Sequence, residues 1–182
     1  SESGSGFLSR VCVEWERAAQ KIKDESPKTR LVILRLGMVL GEGEGALSQM
    51  VPAFQNGVGG MIGNGKMWIS WIHIEDLVNM VVWAIENQSA QGVYNAVSPK
   101  AVTNKEFSEK LVLRFNKKLF LPVPKLAVKA LFGEMSQVVL CSQKVINKNI
   151  ATENFKYIYP EISKALETTV DFLEAFEKKV VF

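Results

Sequence analysis

The chain is expected to fold as an α/β structure, with a parallel sheet and its helices over residues 1–98 and a smaller, mainly helical lobe over residues 99–182. Three observations carry this expectation. Residues 31–36 form an apolar run broken only by Arg35, too short for a buried helix and flanked by Thr29 and Gly37; such a run suits a strand covered on both faces of a parallel sheet. A helical stripe precedes that run, and helix followed by strand implies layered α/β packing. After Pro99 the pattern turns mainly helical.

Taken in order, residues 7–23 place Phe7, Leu8, Val11, Trp15, Ala18, Ala19 and Ile22 on one stripe, with Arg10, Glu14, Arg17 and Lys21 turned outward. Asp24, Glu25, Ser26 and Pro27 end this amphipathic helix, and the 31–36 strand follows. In open α/β sheets a ligand binds just past the carboxyl ends of the strands, so the loop from Gly37 is the first candidate site.

Gly41, Gly43 and Ala46 satisfy the spacing of a dinucleotide fingerprint, but Glu42 and Glu44 would set two carboxylates beside a pyrophosphate with no base in the loop. About 20 residues on, where a ribose-binding acid belongs, the chain reads Gly60, Met61, Ile62, Gly63. The loop is therefore read as a wet, flexible turn.

A short helix over 46–54 is expected despite Pro52, then a run from Asn56 to Gly65 rich enough in glycine for tight turns or a mobile loop near a ligand. Together these form a glycine-rich insertion over residues 47–69. Residues 66–74 read as extended and lead into a helix over 75–86. Leu77, Val78, Met80, Val81, Val82, Trp83 and Ile85 make that helix apolar on nearly all sides, so it is expected to be buried.

Residues 92–97 are a second strand, closed by Ser98 and Pro99. Thr103 with Glu106 forms a capping box for a helix to about Phe115. Residues 119–123 read as extended, 125–132 as a helix ending at Gly133, and 135–145 as a further helix. A last helix opens at Pro160 and uses Ile162, Leu166, Val170 and Leu173.

Composition narrows the function classes. The 22 basic residues are spread among 19 acidic ones, for a net charge of +3, which leaves little footprint for nucleic acid. The pairs Lys117, Lys118 and Lys178, Lys179 read as solvated faces. Cys12 and Cys141 stand far apart in apolar contexts and read as reduced core residues of a cytoplasmic protein, not as a bridge or a metal site. No apolar run reaches the roughly 20 residues of a membrane span, so no membrane partner is expected.

Several segments together resemble the short-chain dehydrogenase/reductase superfamily, in its extended, nucleoside-diphosphate-sugar epimerase-like branch. They are Gly6, Phe7, Leu8 to Val11, Cys12 with Trp15 and Glu16; Arg35 to Gly41; and Ser70 to Leu77. Further on, Gly92 to Asn95, Leu131 to Gly133, Ser142 to Val145, and Phe155 to Tyr157 with Tyr159 and Pro160 are similar to the atypical members that carry a C-terminal domain of unknown function. The resemblance implies NADP(H) as cofactor, with NAD possible, and epimerase-like oxidoreductase or isomerase chemistry on a small molecule. It also implies that the chain is the C-terminal half of a Rossmann-like sheet plus a substrate lobe, the half that grips most of the cofactor lying upstream.

The same resemblance assigns residues. Gly37, Met38 and Val39 match the turn whose amides and carbonyls meet the nicotinamide amide in similar proteins. The superfamily's acid/base tyrosine and its lysine four residues on fall, anchored on Glu16, at Leu8 and Cys12, which cannot do that work, so the catalytic residues are unknown. A cysteine on an apolar helix stripe is read as buried and inert.

Epimerases of this branch carry Asn and Tyr where Met38 and Leu40 stand, and an Arg-Asp pair where Ile69 and Ser70 stand, which argues against a nucleotide-sugar substrate. Trp71 is either the floor of a substrate pocket or core, and His73 either a ligand group or a strut fixing the strand-to-helix turn. A protein that keeps the fold and senses cofactor or binds a partner without turnover is the alternative function. Homo-oligomers are possible through an exposed sheet edge.

Overall fold

A computed structural model describes residues 6–41, 45–119, 121–133, 136, 140–151 and 155–180. Helix α1 (Phe7–Glu25) leads into β1 (Val32–Leu36), and after Gly37 the chain continues as β2 (Met38–Leu40). Then come α2 (Ala46–Gln55), β3 (Trp68–Ile69), β4 (Trp71–His73), α3 (Ile74–Glu86) and β5 (Gly92–Ala96). The C-terminal part holds β6 (Val102–Thr103), α4 (Asn104–Arg114), α5 (Lys125–Phe132), the short α6 (Lys148–Ala151) and α7 (Ile162–Val180).

The two apolar runs pair as expected for an α/β fold: β1 and β5 are parallel, in register from Val32 opposite Gly92 to Leu36 opposite Ala96. Helix α3 makes the crossover a parallel pair requires. Beyond Gly37 a second parallel pair forms, β2 with β4, Met38 opposite Trp71 and Leu40 opposite His73. A short antiparallel pair, β3 with β6, joins Trp68 to Thr103.

The glycine-rich stretch makes tight turns, with φ of 73° at Gly57, 56° at Gly63 and 68° at Gly65. It is held by Gly63 N–H donating to Val123 O at 2.9 Å and Val123 N–H donating to Met61 O at 2.8 Å. Of the stretch 119–123 expected to be extended, Val123 pairs in this way, and residue 120 lies outside the described residues. Thr103 Oγ1 accepts the Glu106 amide at 3.2 Å, the expected cap of α4.

The largest core cluster draws on both parts of the chain: Leu40, Leu47, Phe54 and Trp71 pack with Phe107, Leu111, Leu166 and Val170. A second cluster under the sheet gathers Ile72, Met80, Tyr94, Ala96 and Ile150. Leu173, expected in the last helix's apolar stripe, has a side chain outside the described set.

Several expectations are corrected. Helix α3 is not buried all round: Met80 and Ala84 face the core, while Val78, Val81, Val82 and Ile85 are 42–66% exposed. Its composition is that of a core helix, but only one face has a neighbour among the described elements. Helix α1 buries no residue, and Phe7 and Trp15 are 69% and 71% exposed. Cys12 and Cys141 are both exposed, so neither is a core thiol. Of the helix expected over 135–145, residues 136 and 140 are helical and 135 and 137–139 lie outside the described residues, while 141–145 are not helical; there the Ser70 side chain engages the backbone of Gln143 and Val145.

None of the described helices is long and apolar enough to cross a membrane. No group of three or more metal-ligating residues occurs among the described residues.

Candidate functional site

The candidate site is the point where β1 ends and β2 begins, and Gly37 makes that junction possible. A Cβ built there would lie 2.7 Å from Ser70 O and 2.9 Å from Val97 Cγ1, so the strand can pass between β4 and β5 only without a side chain. Gly37 N–H donates to Ala96 O at 3.1 Å and Met38 N–H to Ser70 O at 2.8 Å. Both amides are thus engaged inside the fold.

Val39 differs. Along a parallel ladder the main-chain groups of successive residues point to opposite sides. With Met38 turned toward β4, the N–H and C=O of Val39 face the other edge, where β2 has no strand partner among the described residues. Of the three residues at this turn, Val39 is the one whose main-chain groups face away from β4. The loop that follows, Glu42, Gly43 and Glu44, lies outside the described residues.

Arg35, which interrupts the apolar run, is a tether to α1. Its Nε and Nη2 meet the Glu16 carboxylate at 2.6 and 2.7 Å, a bidentate pair. The hydrogen bond and charge of Arg35 hold the Glu16 carboxyl below its usual range. Both groups are solvent-accessible, so the pair fixes the helix's position and contributes at most about 1 kcal/mol to stability. Leu8 and Cys12, the positions matching the superfamily's tyrosine and lysine, are both exposed on this helix.

Trp71 is fully buried in the main cluster, and its indole N–H donates to Lys100 O at 3.0 Å. His73 is 2% exposed, stacks on Tyr159 with ring centroids 3.9 Å apart, and caps α3: its Nδ1 accepts the Glu75 amide at 3.3 Å. Accepting there requires an unprotonated Nδ1. Burial pushes the imidazole below its ordinary value of 6.5, against the raising pull of Glu75 and then Asp76.

A depressed folded-state value makes the unfolded chain bind the proton first. The stabilisation is then complete above about pH 6.5 and is lost as pH falls through the lower folded value. Replacing His73 by Asn, which retains a capping oxygen without titrating, is expected to remove this acid sensitivity. The stability difference between the two proteins should shift against the wild type between neutral and acid pH. Urea unfolding of both at matched pH values measures it.

Sequence reasoning missed Asp76 and Ser70. Asp76 reads as an acid in a helix's first turn, yet it is fully buried, its Oδ1 accepting the Ile158 amide at 2.7 Å and its Oδ2 the Tyr159 amide at 3.0 Å. Tyr157 adds a bond from its hydroxyl to Val97 O at 2.9 Å; burial, ahead of other causes, raises its phenol. The signal was present only as Ile158 and Tyr159 lying between turn-forming residues, with nothing to link them to position 76. Ser70 ties the 141–147 segment to the sheet, its hydroxyl donating to Gln143 O at 2.8 Å and accepting the Val145 amide at 2.9 Å.

Comparison with known proteins places this geometry. Residues 10–97 match the NAD dependent epimerase/dehydratase family. Residues 123–169 match a domain of unknown function, DUF1731. The chain is 40% identical over 166 residues to the chloroplastic homologue of epimerase family protein SDR39U1 in Arabidopsis thaliana, covering 91% of this chain and 47% of that protein. It is 40% identical over 165 residues to SDR39U1 of Mus musculus, covering 90% of this chain and 55% of that protein.

The chain thus spans about half the length of the curated relatives it matches. The crystal structure of human SDR39U1 with NADPH superposes with a TM-score of 0.83 at 36% identity, over 91% of this chain and 55% of that one. The fold is therefore that of the Rossmann-like epimerases, and the chain belongs to the NAD dependent epimerase/dehydratase family, in the branch that carries DUF1731.

Proposed function

We propose that the protein, at its full length, binds NADP(H) and acts as an oxidoreductase or epimerase-like enzyme on a small carbonyl or hydroxyl compound. The observation that carries this is the junction at Gly37, where the chain passes close to Ser70 and Val97 and the Val39 backbone then faces an edge with no strand partner among the described residues. The position is that of a ligand past the carboxyl ends of parallel strands. The human relative's NADPH-bound structure, similar over nine-tenths of this chain, supports the choice of cofactor.

NADP(H), when bound, supplies the hydride. Residues of this chain do the rest: Val39 offers a backbone donor and acceptor to the carboxamide end, and Gly37 and Met38 keep that backbone at the strand end. Trp71 and His73 serve the substrate side by holding the β4–α3 turn from within the core. Residues 99–182 close over that side as a substrate lobe, and a nucleotide-sugar substrate is disfavoured because Ile69 and Ser70 offer no cation to a diphosphate.

A second reading is favoured by one specific observation. Leu8 and Cys12, both exposed on α1, occupy the positions matching the superfamily's tyrosine and lysine, so the protein would bind cofactor without turnover. Incubating the full-length protein with NADPH and a panel of aldehydes and ketones separates the two. Enzymatic function requires saturable loss of NADPH absorbance with at least one carbonyl. Binding with no oxidation across the panel leaves the sensor reading, and no NADPH binding removes both.

A further inference from the structure

We infer that Lys144 is the residue that recognises substrate, and that the substrate carries an anionic group, a carboxylate or a phosphate, beside its reacting carbon. The inference rests on the NADP(H) reading and extends it to the other reactant.

The placement of Lys144 follows from a chain of contacts that begins at the cofactor turn. Met38 N–H donates to Ser70 O at 2.8 Å. The hydroxyl of the same Ser70 holds Gln143 O and the Val145 amide, at 2.8 and 2.9 Å. Two residues before Ser70 and one before Gln143, Trp68 N–H donates to Ser142 Oγ at 3.0 Å. Residues 142–145 are thereby laced along the β3–β4 segment, with Lys144 between two tethered neighbours.

Its ammonium stands 4.2 Å from the centroid of the Trp68 ring. An aromatic face orients an ammonium without using its hydrogen-bond donors. Lys100, Lys105 and Arg114 all pair with carboxylates. No carboxylate among the described residues pairs with Lys144.

A cation held in place by backbone tethers and a ring, one residue from the segment that touches the cofactor turn, and left with free donors, is arranged to receive an anionic oxygen. It also accounts for the neutral Ile69 and Ser70. The positive charge on this wall comes from the 142–145 segment and not from the strand. One ammonium matches one anionic head group better than a diphosphate, which agrees with the case against nucleotide sugars.

The test uses the full-length protein, with oxalate as the carboxylate probe, inorganic phosphate as the phosphate probe and neutral oxamide as control. Binding is followed by tryptophan fluorescence with NADPH present and again without it. Lys144→Met is expected to raise the Kd of the preferred anion about tenfold, and Lys144→Arg to keep it near the wild-type value. Oxamide should not bind, and the NADPH affinity, measured separately, should be the same in all three proteins.

Whichever of oxalate and phosphate binds more tightly identifies the group. The inference is overturned if wild type binds neither anion, or if Lys144→Met binds them as wild type does. Loss of NADPH binding in every protein would instead refute the cofactor reading, and the titrations without NADPH would still decide Lys144.

Discussion

Replacing Gly37 by alanine is expected to weaken NADPH binding by roughly tenfold or more and to destabilise the protein by about 2–3 kcal/mol. The added methyl would sit 2.7 Å from Ser70 O and 2.9 Å from Val97 Cγ1. Ser70 O cannot yield cheaply, because it is backbone and already accepts the Met38 amide. Relief comes from pushing the β1–β2 junction outward, which moves Val39 away from the position proposed above for the cofactor's carboxamide end.

Gly41→Ala is the internal control. There the nearest atom to a new Cβ is Ile74 Cβ at 3.4 Å, which is ordinary contact, so its effect should stay below about 1 kcal/mol. Urea unfolding and NADPH fluorescence titration of the full-length variants make the comparison. Equal NADPH affinity in the two variants would mean that the turn does not contact the cofactor.

Asp76→Ala should be the most destabilising single change, by about 3–5 kcal/mol, since each charge-assisted hydrogen bond lost is worth about 1.5–3 kcal/mol. Its two oxygens serve the amides of Ile158 and Tyr159 from a fully buried position. Alanine leaves the Tyr159 amide buried with no acceptor. The positive end of α3 helps to hold the carboxylate.

The damage spreads because the 155–160 segment is fastened to the sheet side by few bonds. The others include Tyr157 to Val97 O at 2.9 Å and Ser98 to Pro160 O at 3.1 Å. Asp76→Asn keeps one acceptor but turns its amide nitrogen toward the second N–H, so it should lose somewhat less than alanine. Equilibrium unfolding measures both, and limited proteolysis should cut first within 155–160. A loss under about 1 kcal/mol for alanine would show that water replaces the carboxylate there.

How far the sequence reached depends on the range of the interaction. The 31–36 run, the 92–97 run and the helix between them were legible because a buried strand is written in a few consecutive residues. The cap of Thr103 on Glu106 is equally local. The candidate turn was found because strand followed by glycine is a local pattern with a topological meaning.

Where reading failed, a partner distant in the chain decided. Residues 141–145 look helical by apolar content, yet Ser70 and Trp68 engage that segment's backbone and side chains across more than 70 positions. Val78, Val81, Val82 and Ile85 look buried, and Cys12 looks like a core thiol, because hydrophobicity says what a residue prefers and not which element stands beside it. Arg35 looked like an interruption until Glu16 was placed opposite it.

The sequence by itself determined the α/β class, the parallel strand pair, the glycine junction at 37 and the family likeness, since each rests on short-range pattern or on order along the chain. Only the tertiary structure decided that Gly37 and Met38 turn their amides inward, that Asp76 clamps residues 158 and 159, and that Lys144 stands over Trp68. The physical reason is common to all three. Backbone donors, a buried carboxylate and an ammonium take their roles from the groups within about 3–4 Å of them, and those groups come from segments whose nearness no local pattern records.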